Sequence, residues 1–484
     1  MNLKVILRNV GFALLVNALF MFFSILVSVA NGNDSALAAL LISFIMTFSV
    51  GVFPFIFVRK TSAISIKDGY MIIILSWLLS FVFGMMPYLL WGGPFTVVNA
   101  WFESVSGYTT TGFTVLDDVE SLPRSLLFWR SSTHFIGGLG VVVFLMLMIP
   151  TSSPMRLKLA NMELSSLSKD AYQTRLNKIV YIFTYVYLAI TASSFILYMI
   201  GGMSAFDAIN HAFSVVATGG FSTRNASIGA YGSVFIDIVS IVMMFLASVH
   251  FALLFSAVVN RSLKPFRNPV FKYYLILVVS ATLIGAFSIK VEGLEQGWGK
   301  SLLESCFHVA SYASTTGFDI PDRSSQSGII CMMLLFLSMH CGMAGSTTGG
   351  IKADRFLLLF KALRKHVKKI VHPSSISDVK VGNRIVKDEE IYPHLLFIAV
   401  YALVMLVSIA LCHLCGNGDE AVTASVASLG NVGVLADLPG AGGGMDFLNS
   451  STKIVLSIDM LLGRLEIFPY FVVLSMLTSK SGRK

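Results

Sequence analysis

Charge is what this sequence has least of. Only 13% of its 484 residues are Asp, Glu, Lys or Arg, whereas 55% are hydrophobic and the mean hydropathy is +0.77. A soluble domain carries roughly a quarter charged residues, so an ordinary water-soluble fold is excluded. Cysteine is scarce as well. The five present, Cys306, Cys331, Cys341, Cys412 and Cys415, do not make a disulfide framework. "CHLC" (412–415) has metal-like spacing but no second pair, and it reads as packing at the end of an apolar segment. A convergent set of acid, base, nucleophile or metal ligands is also missing. There is no HExxH, no GxSxG and no carboxylate pair beside a histidine, so an enzyme is not expected. Nor is a cleavable leader expected, because the apolar run within Met1–Ala30 is too long for a signal-peptide core.

Long apolar segments are abundant. Ten of them, at about 5–29, 36–58, 70–91, 125–149, 178–200, 232–259, 270–289, 327–360, 391–415 and 453–477, reach the ~20 helical residues that cross a hydrocarbon core. With the N-terminus in the cytoplasm, most of the 35 Lys and Arg fall on that side: Lys4, Arg8, the 59–67, 156–178 and 261–272 loops, the 352–387 stretch and the C-terminal tail. The opposite orientation reverses the bias and violates the positive-inside rule. The net charge of +9 follows from topology and calls for no nucleic-acid partner. Its densest cluster, "KALRKHVKK" (361–369), also suits an acidic partner or anionic lipid.

Between the apolar segments one pattern recurs four times. "NAWFESVSGYTTTGF" (99–113), "DAINHAFSVVATGGF" (207–221), "ESCFHVASYASTTGF" (304–318) and "EAVTASVASLGNVGV" (420–434) align without a gap. Gly112, Gly220, Gly317 and Gly433 share one column; Asn99, Asp207, Glu304 and Glu420 share the column that opens the stretch; Ser106, Ser214, Ser311 and Ala427 share a third. Each stretch predicts a helix too short to span, opened by a residue suited to a helix N-terminus and stopped at a Thr/Gly run. The predicted fold is all-α and polytopic: four helix, pore helix, loop, helix repeats in pseudo-fourfold arrangement around a central pore. Two further transmembrane helices precede them. The expected boundaries are 1–60 for that extension, then 61–160, 161–265, 266–385 and 386–484 for the repeats.

Irregular backbone is tolerated within a membrane only where protein or a watered path surrounds it. Four such loops can turn backbone carbonyls to one axis and replace the hydration shell of an ion, with threonine hydroxyls adding oxygens. Four short helices ending there aim their negative dipole ends at it. The permeant species is therefore expected to be a cation.

These motifs identify a family. "TTTGF" (109–113), "ATGGFST" (217–223), "STTGF" (314–318), "NVG" (431–433), "AGSTTGGIK" (344–352) and "GRLEIFP" (463–469) make the chain resemble the bacterial potassium-uptake transporters of the Trk/Ktr/HKT superfamily, the Trk membrane subunit most closely. The resemblance spans essentially the whole length. It implies K⁺ as the transported ion, with Rb⁺ accepted, and no organic cofactor. It implies a K⁺-binding filter of Thr110, Thr111 and Gly112; Thr218, Gly219 and Gly220; Thr315, Thr316 and Gly317; and Asn431, Val432 and Gly433. It further implies a homodimer in the lipid bilayer of the inner membrane, both termini cytoplasmic, bound to a cytosolic nucleotide-binding regulatory protein. The fourth loop departs from the others, since Gly430, Asn431 and Val432 replace the Thr/Ser-rich approach.

Two features mark a gate. "HCGMAGSTTGGIKADR" (340–355) holds Gly345, Ser346, Thr347, Thr348, Gly349 and Gly350, a run that cannot keep a helix and is expected to unwind within the membrane. A phosphate-binding loop is excluded there because Ile351 stands where lysine is required. Arg464 is a charge inside an apolar segment, expected in the cytosolic half of the pore as a barrier to cations, with an interhelical salt bridge as the competing reading. Glu466 and Asp459 are poorly spaced to pair with it along one helix. An H⁺- or Na⁺-coupled potassium symporter is the alternative function, with Asp459 and Asp237 the available intramembrane carboxyls. His134, His211, His250, His308 and His340 lack ligand spacing and read as packing or hydrogen-bonding groups.

Overall fold

The computed structural model describes residues 2–58, 66–148, 176–293, 297–320, 328–374, 378–382, 384–418, 420–434, 444–468, 470–471 and 475. The basic loop over 156–175, most of the last part of the tenth apolar segment and the tail beyond it lie outside these residues. The protein is mostly helical. Its described strands are β1 (Val379–Val381) and β2 (Arg384–Val386), an antiparallel pair in which Val379 faces Val386.

Helices α1 (Leu3–Ala30) and α2 (Leu37–Phe57) come first. They cross at two glycines: a β-carbon on Gly11 would stand 2.7 Å from the carbonyl oxygen of Gly51. Small residues let helices approach this closely where lipid offers no hydrophobic drive for association. Asn17 on α1 then donates to the Ser80 hydroxyl at 2.8 Å, joining the pair to the next helix.

From Ile66 the element order is long helix, short helix, extended segment, second helix, four times over. The long helices are α3 (Ile66–Gly84) continued by α4 (Met86–Trp91), α7 (Leu176–Ile200), α11 (Pro269–Val291) and α15 (Asp388–Leu414). The short ones are α5 (Val97–Tyr108), α8 (Ala205–Ala217), α12 (Trp298–Ala313) and α16 (Ala421–Gly430). The second helices are α6 (Arg124–Met148), α9 (Val234–Ser248) with α10 (Phe251–Val259), α13 (Gly328–His340) with α14 (Ala353–Val371), and α17 (Ser450–Arg464). Among the described residues six helices are long and apolar enough to cross a bilayer, and α9 with α10 makes a seventh, bent by 102°. Large apolar side chains such as Phe53, Ile276, Phe287 and Leu403 remain exposed on the long helices, the belt a membrane covers.

The four second helices differ from the continuous spans expected over 125–149, 232–259, 327–360 and 453–477. Each contains or ends at a break: α6 at Gly140 (φ 66°, ψ 152°), α9 at Val249–His250, α13 at 341–352, and α17 after Arg464, where Glu466 takes φ 58°. The short helices are ~15 to 24 Å long at 1.5 Å per residue, less than a hydrocarbon core. Thr96 and Ser204 cap α5 and α8 by accepting from the amides of Asn99 and Asp207. Glu304 lies within α12 and Glu420 is the residue just before α16, so the opening column is N-terminal in three stretches rather than four.

Candidate ion pathway

The four short helices end alike. The residue two before each column glycine, Thr110, Thr218, Thr315 and Asn431, is left-handed at φ 53°, 56°, 60° and 56°. The following amides of Thr111, Gly219, Thr316 and Val432 bond back to the carbonyls of Ser106, Ser214, Ser311 and Ala427 at 2.8–2.9 Å. This is the 6→1 closure of a helix C-terminus, with an L residue where glycine is usual. A β-branched residue at positive φ is an outlier, and such strain collects at functional sites. The unusual backbone is thus carried by threonine and asparagine as well as by glycine. One turn back, the hydroxyls of Ser106, Ser214 and Ser311 donate to the carbonyls of Phe113, Phe221 and Phe318 at 2.6, 2.5 and 2.6 Å. Ala427 has no hydroxyl, so the fourth loop lacks this tie.

The glycines meet across the loops. A β-carbon on Gly112 would stand 2.1 Å from the carbonyl oxygen of Gly219, and one on Gly220 would stand 2.3 Å from that of Thr316. One on Gly317 would lie 2.9 Å from the amide of Gly433, and one on Gly433 would lie 2.4 Å from the carbonyl of Thr111. The contacts therefore run from first loop to second, third, fourth and back to the first. Gly112, Gly220 and Gly317 also need positive φ, at 93°, 82° and 70°; Gly433 does not, and close approach alone excludes a side chain there. Asn431 closes the circuit, donating to the Thr111 hydroxyl at 3.1 Å and to the Met460 carbonyl at 2.8 Å. A cavity of about 320 Å³ sits against the ring and is lined by all four glycines, with Arg130, Arg224 and Asp319 on its wall.

One buried ion pair at this site escaped the sequence reading. Arg130 is buried on α6 and donates through Nε to Glu103 of α5 at 2.7 Å. Glu103 also accepts from the Thr114 hydroxyl and the Val115 amide, both at 3.0 Å, just beyond Gly112. Arg130 reaches the Ser222 carbonyl at 3.3 Å and covers the Phe221 ring at 4.0 Å, just beyond Gly220. The pair thus braces the exits of the first two loops against each other. The readable signal was a cation inside "LLFWRSSTHF" and an anion inside "WFESVSGY".

The 341–352 segment packs beneath the threonines. Thr347 is its hub. Its carbonyl accepts the Thr218 hydroxyl at 3.0 Å and the Arg464 guanidinium at 2.5 Å. Its own hydroxyl lies 3.0 Å from the Val216 carbonyl and 3.2 Å from that of Ala247. The Gly349 amide donates to the Thr315 hydroxyl at 3.3 Å, and the Ser346 and Thr348 hydroxyls pair at 2.8 Å. Gly345 and Gly350 take φ 81° and 64°. A β-carbon on Gly345 would stand 2.7 Å from the His250 ring, and one on Gly349 would stand 2.6 Å from the Asn431 side-chain oxygen. Arg464 also donates to the Gly137 carbonyl at 2.9 Å, so its fork joins α6, the 341–352 segment and α17. Glu466 instead pairs with Arg355 at 2.6 Å and Lys352 at 3.6 Å. Two of the histidines serve structure here: His134 stacks on Phe221 at 4.1 Å, and His250 accepts from the Ala252 amide. Among the described residues no group of three or more His, Cys, Asp or Glu is placed to hold a metal ion.

Comparison with known proteins finds relatives along most of the chain. The TrkH family model, described as cation transport protein, matches residues 36–482. The Trk system potassium uptake protein TrkH of Halomonas elongata is 32% identical over 480 residues, 98% of each chain. That of Salmonella typhimurium is 32% identical over 422 residues, 86% of each chain. The crystal structure of the potassium transporter TrkH from Vibrio parahaemolyticus superposes with a TM-score of 0.88 at 28% identity, covering 98% of this chain and 99% of that one. These relatives are ion transporters and not enzymes. With a family match over nearly its whole length and a backbone that follows a solved member from end to end, the chain belongs to the TrkH family of cation transport proteins.

Proposed function

We propose that the protein takes up K⁺ through a central pore whose filter is built by four pseudo-fourfold repeats, with boundaries at 61–160, 161–265, 266–385 and 386–484 after a two-helix extension over 1–60. The observation that carries this reading is the closed circuit of glycine contacts against one cavity. The filter residues are Thr110, Thr111 and Gly112, Thr218, Gly219 and Gly220, Thr315, Thr316 and Gly317, and Asn431, Val432 and Gly433. Their carbonyls replace the water of a dehydrating cation, with four helix C-termini behind them. The potassium named for the relatives above is the ion assigned.

The gate is the 345–350 loop with Arg464. It lies where a cation leaving the filter toward the cytosol must pass. Membrane potential drives uptake at roughly 2.3 kcal/mol per charge per 100 mV. Both termini are cytoplasmic, in a bacterial inner membrane. The basic α14 and the loops on its side face a cytosolic nucleotide-binding regulatory subunit, and the protein works as a homodimer. Radioactive rubidium uptake into liposomes holding only this protein tests the reading. Voltage-driven uptake that K⁺ competes away is expected; strict dependence on an imposed H⁺ or Na⁺ gradient would replace it with the symporter.

A further inference from the structure

Behind the fourth loop lies a buried acid that the pathway does not use. Asp459 on α17 hydrogen-bonds through Oδ2 to the hydroxyl of Ser408 on α15. Ser408 Oγ lies 2.9 Å from Ser425 Oγ on α16, and Ser425 Oγ lies 3.7 Å from Cys412 Sγ, one turn from Ser408. All four side chains are buried. Tyr401, two turns from Ser408 on the same face of α15, adds a buried phenol with no hydrogen-bond partner among the described residues.

Among the described residues no Lys, Arg or His forms an ion pair with Asp459. On its own helix, Lys453 is spent on Asn99 at 2.9 Å and Asp446 at 3.2 Å, and Arg464 reaches the Thr347 and Gly137 carbonyls. From α15 the titratable groups on this face are Cys412 and Tyr401. Helix α16 carries no titratable side chain, and α5 carries Glu103, committed to Arg130, and Tyr108. An isolated carboxylate buried in such an interface is costly unless its oxygens are hydrogen-bonded.

Each hydroxyl and thiol has one proton to give. With Asp459 protonated, the bonds run from Asp459 to Ser408, to Ser425, to Cys412. With Asp459 ionised, every bond reverses, from Cys412 to Ser425, to Ser408, to the carboxylate. The relay is complete in both states, so a proton from water can bind or leave without orphaning a group. Cys412 lies two residues from the end of α15 at Leu414, so the relay points toward that end.

The relay is also coupled to the fourth loop. The residue after Asp459 is Met460, whose carbonyl holds the Asn431 side chain at 2.8 Å. A β-carbon on Gly463 would lie 2.1 Å from the Leu429 carbonyl, so α16 and α17 touch backbone to backbone. The loop anchored here lacks the serine tie of the other three.

We propose that Asp459 is a proton-binding site whose occupancy sets the rate of cation flux by altering the seam that anchors the fourth loop. This rests on the transport reading above, but proton binding can be read without it. Purified full-length wild type, Asp459→Asn and Ser408→Ala are compared in two ways. Infrared difference spectra taken across an acid-to-alkaline titration should show a protonated carboxyl band in wild type, lost in Asp459→Asn and shifted in its titration by Ser408→Ala. Rubidium uptake into liposomes at fixed voltage should change several-fold with pH in wild type. In Asp459→Asn, which mimics the protonated acid, it should stay at the wild-type acid-side rate. A band that survives in Asp459→Asn, or one unmoved by Ser408→Ala, overturns the site. A wild-type flux indifferent to pH, or an Asp459→Asn flux with the wild-type profile, overturns its action on flux. A titrating band in a protein with no rubidium uptake would leave the proton site standing and remove the transport reading.

Discussion

The guanidinium of Arg464 and the hydroxyl of Thr218 converge on a single oxygen, the carbonyl of Thr347, at 2.5 and 3.0 Å. A fixed cation, the 341–352 segment and the loop after α8 are therefore one hydrogen-bonded unit. Withdrawing the Thr347 carbonyl from this position breaks its bonds to both Arg464 and Thr218.

Arg464→Ala should raise cation flux several-fold per folded protein without admitting anions. A guanidinium stays charged at physiological pH, and a unit charge at about 6 Å in an effective dielectric of about 20 opposes a cation by ~3 kcal/mol before screening. Arg464→Lys should restore only part of the barrier. Its single ammonium cannot hold the Thr347 and Gly137 carbonyls as the planar fork does. Single-channel conductance decides; an alanine variant conducting no better than wild type at equal yield removes the barrier role.

Replacing 345–350 by alanines should raise basal flux, because it removes the Thr347 hydroxyl's bonds to the Val216 and Ala247 carbonyls and drives side chains at 345 and 349 into His250 and Asn431. Liposome flux at rest reports it. A folded variant at or below the wild-type rate would make the loop a passive kink.

Glu103→Gln should destabilise the protein by about 3–5 kcal/mol, the cost of leaving a buried arginine without its carboxylate. A lowered thermal unfolding midpoint in detergent is expected, and Glu103→Asp should lose less. An unchanged midpoint would show that Arg130 is satisfied by the Ser222 carbonyl and the Phe221 ring alone.

Much of this was legible in the sequence because the four stretches share spacing. The glycine column, the serine column and the helix-breaking run at 340–355 each impose a local backbone consequence that survives folding. The missing parts depend on what lies opposite. Nothing in "FIGGLGVVV" or "ASVHFALL" says that α6 turns at Gly140 or that α9 stops before His250; the second of these breaks lies against the 341–352 segment, whose Gly345 carbonyl accepts the Phe251 amide at 3.0 Å. Glu103 and Arg130 are 27 residues apart, and no periodicity joins them. The left-handed threonines were hidden because propensity assigns positive φ to glycine. Arg464 stood out as a charge inside an apolar segment, but its partners, carbonyls from two other segments, were beyond sequence reach.

Gly112→Ser tests the filter most directly, since its β-carbon would stand 2.1 Å from the Gly219 carbonyl at φ 93°. The measurement is the reversal potential in a planar bilayer with K⁺ on one side and Na⁺ on the other, for wild type and Gly112→Ser. A filter ring predicts a strongly K⁺-selective potential in wild type that collapses toward zero in the variant. Equal potentials in two folded proteins would contradict it and leave the four glycines as packing residues.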